Sequence, residues 1–248
     1  MKMKIIIPAL LITLAAGFTS CKKDSSSASG NSTLDFQVLA LNKTYSLPVS
    51  ATGTKSALVG SASLTWDTAQ MVISRVKYEA ELKNSVTHRD SIEISYEWNG
   101  PQTVNLLDPA VVLGSYTLTP GFYDEIELNV MGLKKDAGNN PVFYLTGSYT
   151  NSTSVKVPII FKVNEDVMFK TEKDSVDVTT DSFVFTSSIQ LYLDQLLLGV
   201  DPTVLDNATL TNGVIIISSE SNYELYRIIM RNLHKDHHCN HEHHHGHN

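Results

Sequence analysis

The sequence predicts a mainly β protein: an antiparallel β-sandwich followed by one or two short C-terminal helices and a disordered or helical histidine-rich tail. Three observations lead there. Segment after segment alternates apolar with polar residues at a period of two, turn signals recur at short spacing, and helical spacing emerges only after Asp201. A closed barrel shares the first two features and is the competing architecture.

The chain opens with Lys2 and Lys4 ahead of an apolar run from Ile5 to Ala16, then small and polar residues up to Cys21. A spanning helix needs about 20 apolar residues, and this run is shorter, so residues 1–20 are expected to be a cleaved secretory signal. Phe18-Thr19-Ser20-Cys21 resembles a relaxed bacterial lipobox, with Phe18 where leucine is usual. That resemblance implies a lipidated Cys21 and an envelope protein anchored to the outer membrane, facing either the periplasm or the outside. Residues 21–34 then form the lipidated cysteine and a Ser/Gly tether, too small and polar to pack.

Without residues 1–20 the formal charge moves from -7 to -9. So acidic a chain has no electrostatic footprint for nucleic acid. The two cysteines are Cys21 and Cys239. With Cys21 carrying lipid, no intramolecular disulfide is available, and the hydrophobic core must hold the fold.

Residues 35–233 are expected to be the sandwich with its C-terminal helix. Val72, Val76, Tyr78, Ala80 and Leu82 alternate with Ile73, Arg75, Lys77, Glu79, Glu81 and Lys83. Ile92, Ile94, Tyr96 and Trp98 oppose Glu93, Ser95 and Glu97; Ile126, Leu128 and Val130 oppose Glu125, Glu127 and Asn129. Val155, Val157, Ile159, Phe161 and Val163 share one face, with Lys156, Pro158 and Lys162 on the other. Each pattern is that of a strand with one wet face. Turns are expected at Asn99-Gly100-Pro101, Asp108-Pro109, Pro120-Gly121, Asp136 to Pro141, and Asn151-Ser152.

Asp201-Pro202 is a cap residue before a first-turn proline and opens a short helix to about Ala208. Gly213 to Ser219 reads as a buried strand. Ser221 to Glu224 has the spacing of a capping box, and Tyr226, Ile229, Met230 and Leu233 follow at helical spacing, giving a helix over about 222–233.

The stretches "WDTAQMVISRVKYEA", "TVNLLDPAVVLGSYTLTPGFYDEIELNV", "FYLTGSYTNSTSVKVPIIFKV" and "GVIIISSESNYELYRIIMRNL" together resemble a family of Bacteroidota-type outer-membrane lipoproteins. The resemblance covers most of residues 62–233 and implies an Ig-like or transthyretin-like sandwich. Within it, a Pro-Gly-x-Tyr turn enters an alternating strand, matched here by Pro120, Gly121, Tyr123, Ile126 and Leu128. Its motifs are structural and imply no activity.

Eight of the nine histidines lie in residues 234–248, "HKDHHCNHEHHHGHN". His234, His237, His238 and His241 fall at i, i+3, i+4 and i+7, so a continued helix would carry them on one face, with His234/His238 and His237/His241 as two-imidazole pairs. In an irregular tail, the spacings at His241 to His243 and His245 to His247 still chelate, with His244 between them and Cys239 adding a thiolate. Imidazole suits Zn, Cu and Ni alike. The tail is therefore expected to bind exchangeable transition-metal ions, with no tightly bound cofactor. A solvated low-complexity end and a proton sensor are the bland alternatives.

Enzyme motifs are not found. His88-Arg89-Asp90 matches three residues of the kinase catalytic loop, but Ser95 stands where that loop has asparagine and no Gly-rich phosphate loop exists. Glu125 and Glu127, and Asp177 and Asp181, are expected to be exposed strand and loop residues. Asp136, Asn139 and Asn140 offer oxygen ligands for Ca²⁺ but lack EF-hand order, so a turn is expected. The expectation is a non-enzymatic, membrane-anchored protein that binds metal, or else a module for an envelope protein or glycan partner.

Overall fold

A computed structural model describes residues 32–47, 61–83, 91–109, 111–179, 184–234 and 238–244, without the side chains of Val111, Phe185 and 238–244. The expected signal, Cys21 and most of the tether lie outside these residues, as do His88-Arg89-Asp90 and Asp181. No described helix is long and apolar enough to cross a membrane.

Two sheets are built from β1 (Ser32–Leu41), β2 (Thr44–Ser46), β3 (Ser63–Lys83), β4 (Ser91–Asn105), β5 (Val111–Leu118), β6 (Gly121–Gly132), β7 (Phe143–Thr150), β8 (Lys156–Val163), β9 (Val167–Val178), β10 (Val184–Tyr192), β11 (Leu210–Thr211), β12 (Val214–Ile217) and β13 (His238–His244). Among the described residues three helices interrupt them: α1 (Lys134–Ala137), α2 (Pro202–Asp206) and α3 (Tyr223–Leu233). The smaller sheet runs β13-β10-β1-β5. The larger runs β11-β12-β8-β7-β3-β6-β9, with β2 and β4 also paired to β3. Among the described residues neither sheet closes into a barrel.

The sheets are mixed rather than wholly antiparallel, because β1 pairs parallel with β10 and β12 pairs parallel with β8. Alternation records which face a residue takes, not the direction of the neighbouring strand. Long connections separate both parallel pairs, so no tight hairpin imposes the antiparallel sense.

The 21-residue β3 organises the larger sheet. Its Gln70 faces Asn105 of β4 on one edge and Tyr144 of β7 on the other. Toward its end, β4 and β6 flank it, with Tyr78 opposite both Tyr96 and Leu128. Val76, Tyr78 and Ala80 are buried while Lys77 and Glu79 face out, as the alternation requires. Between Met71 and Ser74 both faces are covered. There Val72 N–H donates to the Val142 carbonyl (2.9 Å) and Leu133 N–H to Ser74 Oγ (2.9 Å), so the segment around α1 packs on this part of β3, and Ile73 is fully buried too.

The sheets meet through aromatic rings, an arrangement consistent with a β-sandwich. Phe36 of β1 lies 5.5 Å from Tyr78 and 6.2 Å from Tyr96, while Tyr116 of β5 lies 5.6 Å from Tyr78 and 5.8 Å from Tyr96. At the far end Phe161 of β8 packs between Phe143 and Tyr226, which seats α3 on the larger sheet. Tyr149 Oη donates to Asp206 Oδ1 (2.6 Å) and so ties β7 to α2.

Several turns behave as expected. Asn151 Oδ1 accepts from Thr153 N–H and Val155 N–H in the β7–β8 turn. Tyr123 Oη donates back to the Thr119 carbonyl (2.9 Å), which holds the Pro120-Gly121 corner; burial pushes its hydroxyl up to about 12. Asn99-Gly100-Pro101 is not a turn: β4 runs through it with a cis Gly100–Pro101 bond and a register shift against β3. Asp201 caps α2 as expected, accepting from Thr203 N–H, with Pro202 in the first turn.

The capping box at Ser221 is not formed. Asn222, at φ 50°, occupies the cap position of α3 and instead spends its amide on Thr209 N–H, the Thr209 carbonyl and the Ile216 carbonyl. It joins the helix start to β12, a tertiary demand that outranks the local cap.

Candidate functional site

α3 buries Leu225, Tyr226, Ile229, Met230 and Leu233, and it stops where that stripe stops. His234 closes its last turn, donating N–H to the Met230 carbonyl (3.1 Å). Beyond it the backbone of 238–244 is extended and pairs antiparallel with β10: His238 opposite Gln190, Cys239 opposite Ile189, His241 opposite Ser187, His243 opposite Phe185 and His244 opposite Val184. The tail is thus neither a continued helix nor an irregular end over these residues. The pairs His234/His238 and His237/His241 need a helix that continues through 241, and His238 to His241 lie in a strand instead, while His237 lies outside the described residues. The physical reason is the edge of β10, whose unpaired N–H and C=O groups recruit a strand.

Five of the nine expected ligands, His238, Cys239, His241, His243 and His244, therefore share one strand. Cys239, His241 and His243 occupy alternate positions along it. His237, His245 and His247 lie outside the described residues.

A second cluster depends on strand register. Glu93, Glu81, Glu125 and Asp174 are successive partners across β4, β3, β6 and β9. The adjacent row is Ser95, Glu79, Glu127 and Glu172, and the next is Glu97, Lys77, Asn129 and Lys170. Carboxylate oxygens of Glu125, Glu127 and Glu172 lie within 4.8 Å of one another. Glu79, Glu81, Glu93, Ser95, Glu125 and Glu127 line a shallow groove of about 270 Å³. Glu125 and Glu127 are half-buried, not exposed as the isolated alternation suggests, because each has acidic neighbours on two strands.

Lys170 supplies the balancing charge, with Nζ 2.6 Å from Glu127 Oε2 and 3.3 Å from Glu172 Oε2. Its hydrogen bond to Glu127 holds that carboxyl below the usual carboxylate range, Asn129 adding a further donor. The same bond raises Lys170. Glu125 receives no such partner, and the charge of Glu172 pushes its carboxyl up.

Because folding lowers the Glu127 value, its contribution to stability is present above the ordinary carboxylate range and is lost as pH falls through the lowered value. Lys170→Met should therefore destabilise the protein by at most about 1 kcal/mol at pH 7, the scale of an exposed ion pair. Urea unfolding at pH 7 and pH 3 checks this: the deficit should be present at the first and smaller at the second.

At the expected calcium loop, the chain forms α1, and Lys134 Nζ donates to the carbonyls of Gly138 and Asn140 (3.0 Å each). An ammonium thus closes the turn against the oxygen atoms a cation would need. Asp177 is exposed on β9 opposite Phe122.

Comparison with protein-family models, with curated proteins and with solved structures finds no match to this chain.

Proposed function

We propose that this protein is a lipid-anchored envelope protein, an Ig-like or transthyretin-like sandwich held at the outer membrane by Cys21, that binds Zn, Cu or Ni through residues 234–248. The observation that carries the reading is ligand density: eight imidazoles and one thiol in fifteen residues. Each neutral imidazole offers one nitrogen to a metal, and protonation removes it, so ions taken up at pH 7 are released toward pH 5. Ligands strung along one short segment of chain suit capture and buffering of exchangeable ions. Pairing of β13 with β10 supports this reading by holding Cys239, His241 and His243 in one extended row.

Titration calorimetry with Zn²⁺, Cu²⁺ and Ni²⁺ at pH 7 tests it. A chain lacking 234–248 should lose nearly all binding; undiminished binding by the shortened chain overturns the proposal.

A second reading, a module that binds a partner protein, is favoured by a specific feature. Among the described residues β4 has one edge paired to no strand and an apolar face that is only half-buried.

A further inference from the structure

β4 pairs with β3 along one edge and, among the described residues, with no strand along the other. From Ser91 to Asn99 its register with β3 is unbroken, until the shift beside Gly100. An edge strand of this length presents a row of free N–H and C=O groups, a template for another strand. Natural sheets usually blunt such edges with a bulge or an inward charge, and this stretch has neither before Gly100.

Its two faces are chemically distinct. Inward lie Ile92, Ile94, Tyr96 and Trp98, the positions that elsewhere in this sheet form the core. Here Ile92 is 59% exposed and the other three are only half-buried. Tyr96 reaches Phe36 and Tyr116, so this face lies at the open margin of the space between the sheets. Outward lie Glu93, Ser95 and Glu97, all exposed, with Glu79 and Glu81 beside them on β3. Arg75 lies 3.5 Å from Glu97 and Lys77 Nζ 2.7 Å from Glu79, so the acidic residues of this face outnumber the cations paired to them.

A strand added to β4 would set its own outward residues beside Glu93, Ser95 and Glu97 and its inward residues beside the apolar face. A second copy of β4 fits the inward face but not the outward one. Antiparallel pairing centred on Ser95 sets Glu93 against Glu97 twice, and like charges directly opposite one another repel. We propose that the free edge of β4 binds a partner polypeptide by strand addition, and that the recognised segment is an extended run of about nine residues alternating apolar side chains with Lys or Arg. Main-chain bonds supply the affinity; the acidic row and the half-open aromatic face select the sequence. The proposal rests on the partner-binding reading and is independent of metal.

The full chain, with chelator present, can be titrated with capped nine-residue peptides that alternate Val with Lys or Val with Glu. The Val/Lys peptide should bind about ten-fold more tightly, from the two cross-strand charge positions at Glu93 and Glu97. The paired substitution Glu93→Lys and Glu97→Lys, at exposed positions, should invert the preference. N-methylation of one alternate set of Val/Lys amides should abolish binding, and methylation of the other set should leave it within a few-fold, because only one set faces β4. Binding indifferent to both methylated peptides would mean adsorption to the acidic face and would overturn the proposal. Tighter binding of Val/Glu, with the same response to methylation, overturns the basic partner but leaves strand addition standing. No binding by either peptide overturns both.

Discussion

Gly147→Ala is expected to lower the stability of the domain by more than about 3 kcal/mol, or to prevent its folding, the range reserved for changes that force backbone apart. A Cβ at this position of β7 would overlap the carbonyl oxygen of Thr65 and lie 2.9 Å from Trp66 Cα. Both are main-chain atoms of β3, so no side-chain rotation relieves the overlap. The register of β3 and β7 shifts between Trp66 and Thr68, directly opposite Gly147. Glycine in a strand interior weakens it intrinsically and so marks a close approach of backbone. Moving β7 away would disturb Trp66, which is fully buried, and the strand on which the larger sheet is built. Gly213→Ala is the control. Gly213 sits at φ +79° in the two-residue turn between β11 and β12, with nothing within 4 Å of a built Cβ, so only the cost of a left-handed alanine applies, about 1–2 kcal/mol. Urea unfolding of the two variants should differ clearly; equal losses would remove the steric account.

What the sequence could reveal followed the range of its interactions. Ile159, Phe161 and Val163 fall on the buried face of β8, and Lys156 and Pro158 on the exposed one, because alternation there answers to a single core. Ile73 breaks the rule beside the register shift of β3 against β4, where the two-residue period is interrupted. The alternation of Ile92 to Trp98 marked a strand correctly but could not disclose that the opposing sheet ends before covering it. The acidic rows are another product of register. Glu81, Glu93, Glu125 and Asp174 carry no shared spacing in the chain and become neighbours only when four strands align.

The helix ends tell the same story. Asp201 acts locally, and its cap was legible. Asn222 acts across β12 and the loop before it, and its role was not. In the tail, histidine spacing fits a helix face as well as any other pattern, yet 238–244 adopt the conformation that the open edge of β10 imposes. Residue type motivates the proposed metal binding, whereas the backbone geometry of 238–244 depends on a strand about fifty residues earlier.

Phe36→Ala is the remaining large effect, expected to cost about 3–5 kcal/mol. Phe36 is fully buried on β1, and its ring bridges the sheets by packing on both Tyr78 and Tyr96. Its removal leaves a void walled by rings that are themselves fixed: Tyr78 and Tyr96 each also pack against Tyr116. A cluster of that kind collapses poorly, so the cavity cost adds to the lost transfer energy. Phe36→Leu retains most of the filling and should cost markedly less. The loss should also be uneven across the sheet. Tyr96 loses its stacked partner on a strand that, among the described residues, is paired at one edge only, so amide exchange in β4 should accelerate more than in β8, which is paired on both sides by β7 and β12. A loss below about 1 kcal/mol, or equal acceleration in β4 and β8, would mean that the aromatic contact between the sheets does not hold β4 in place.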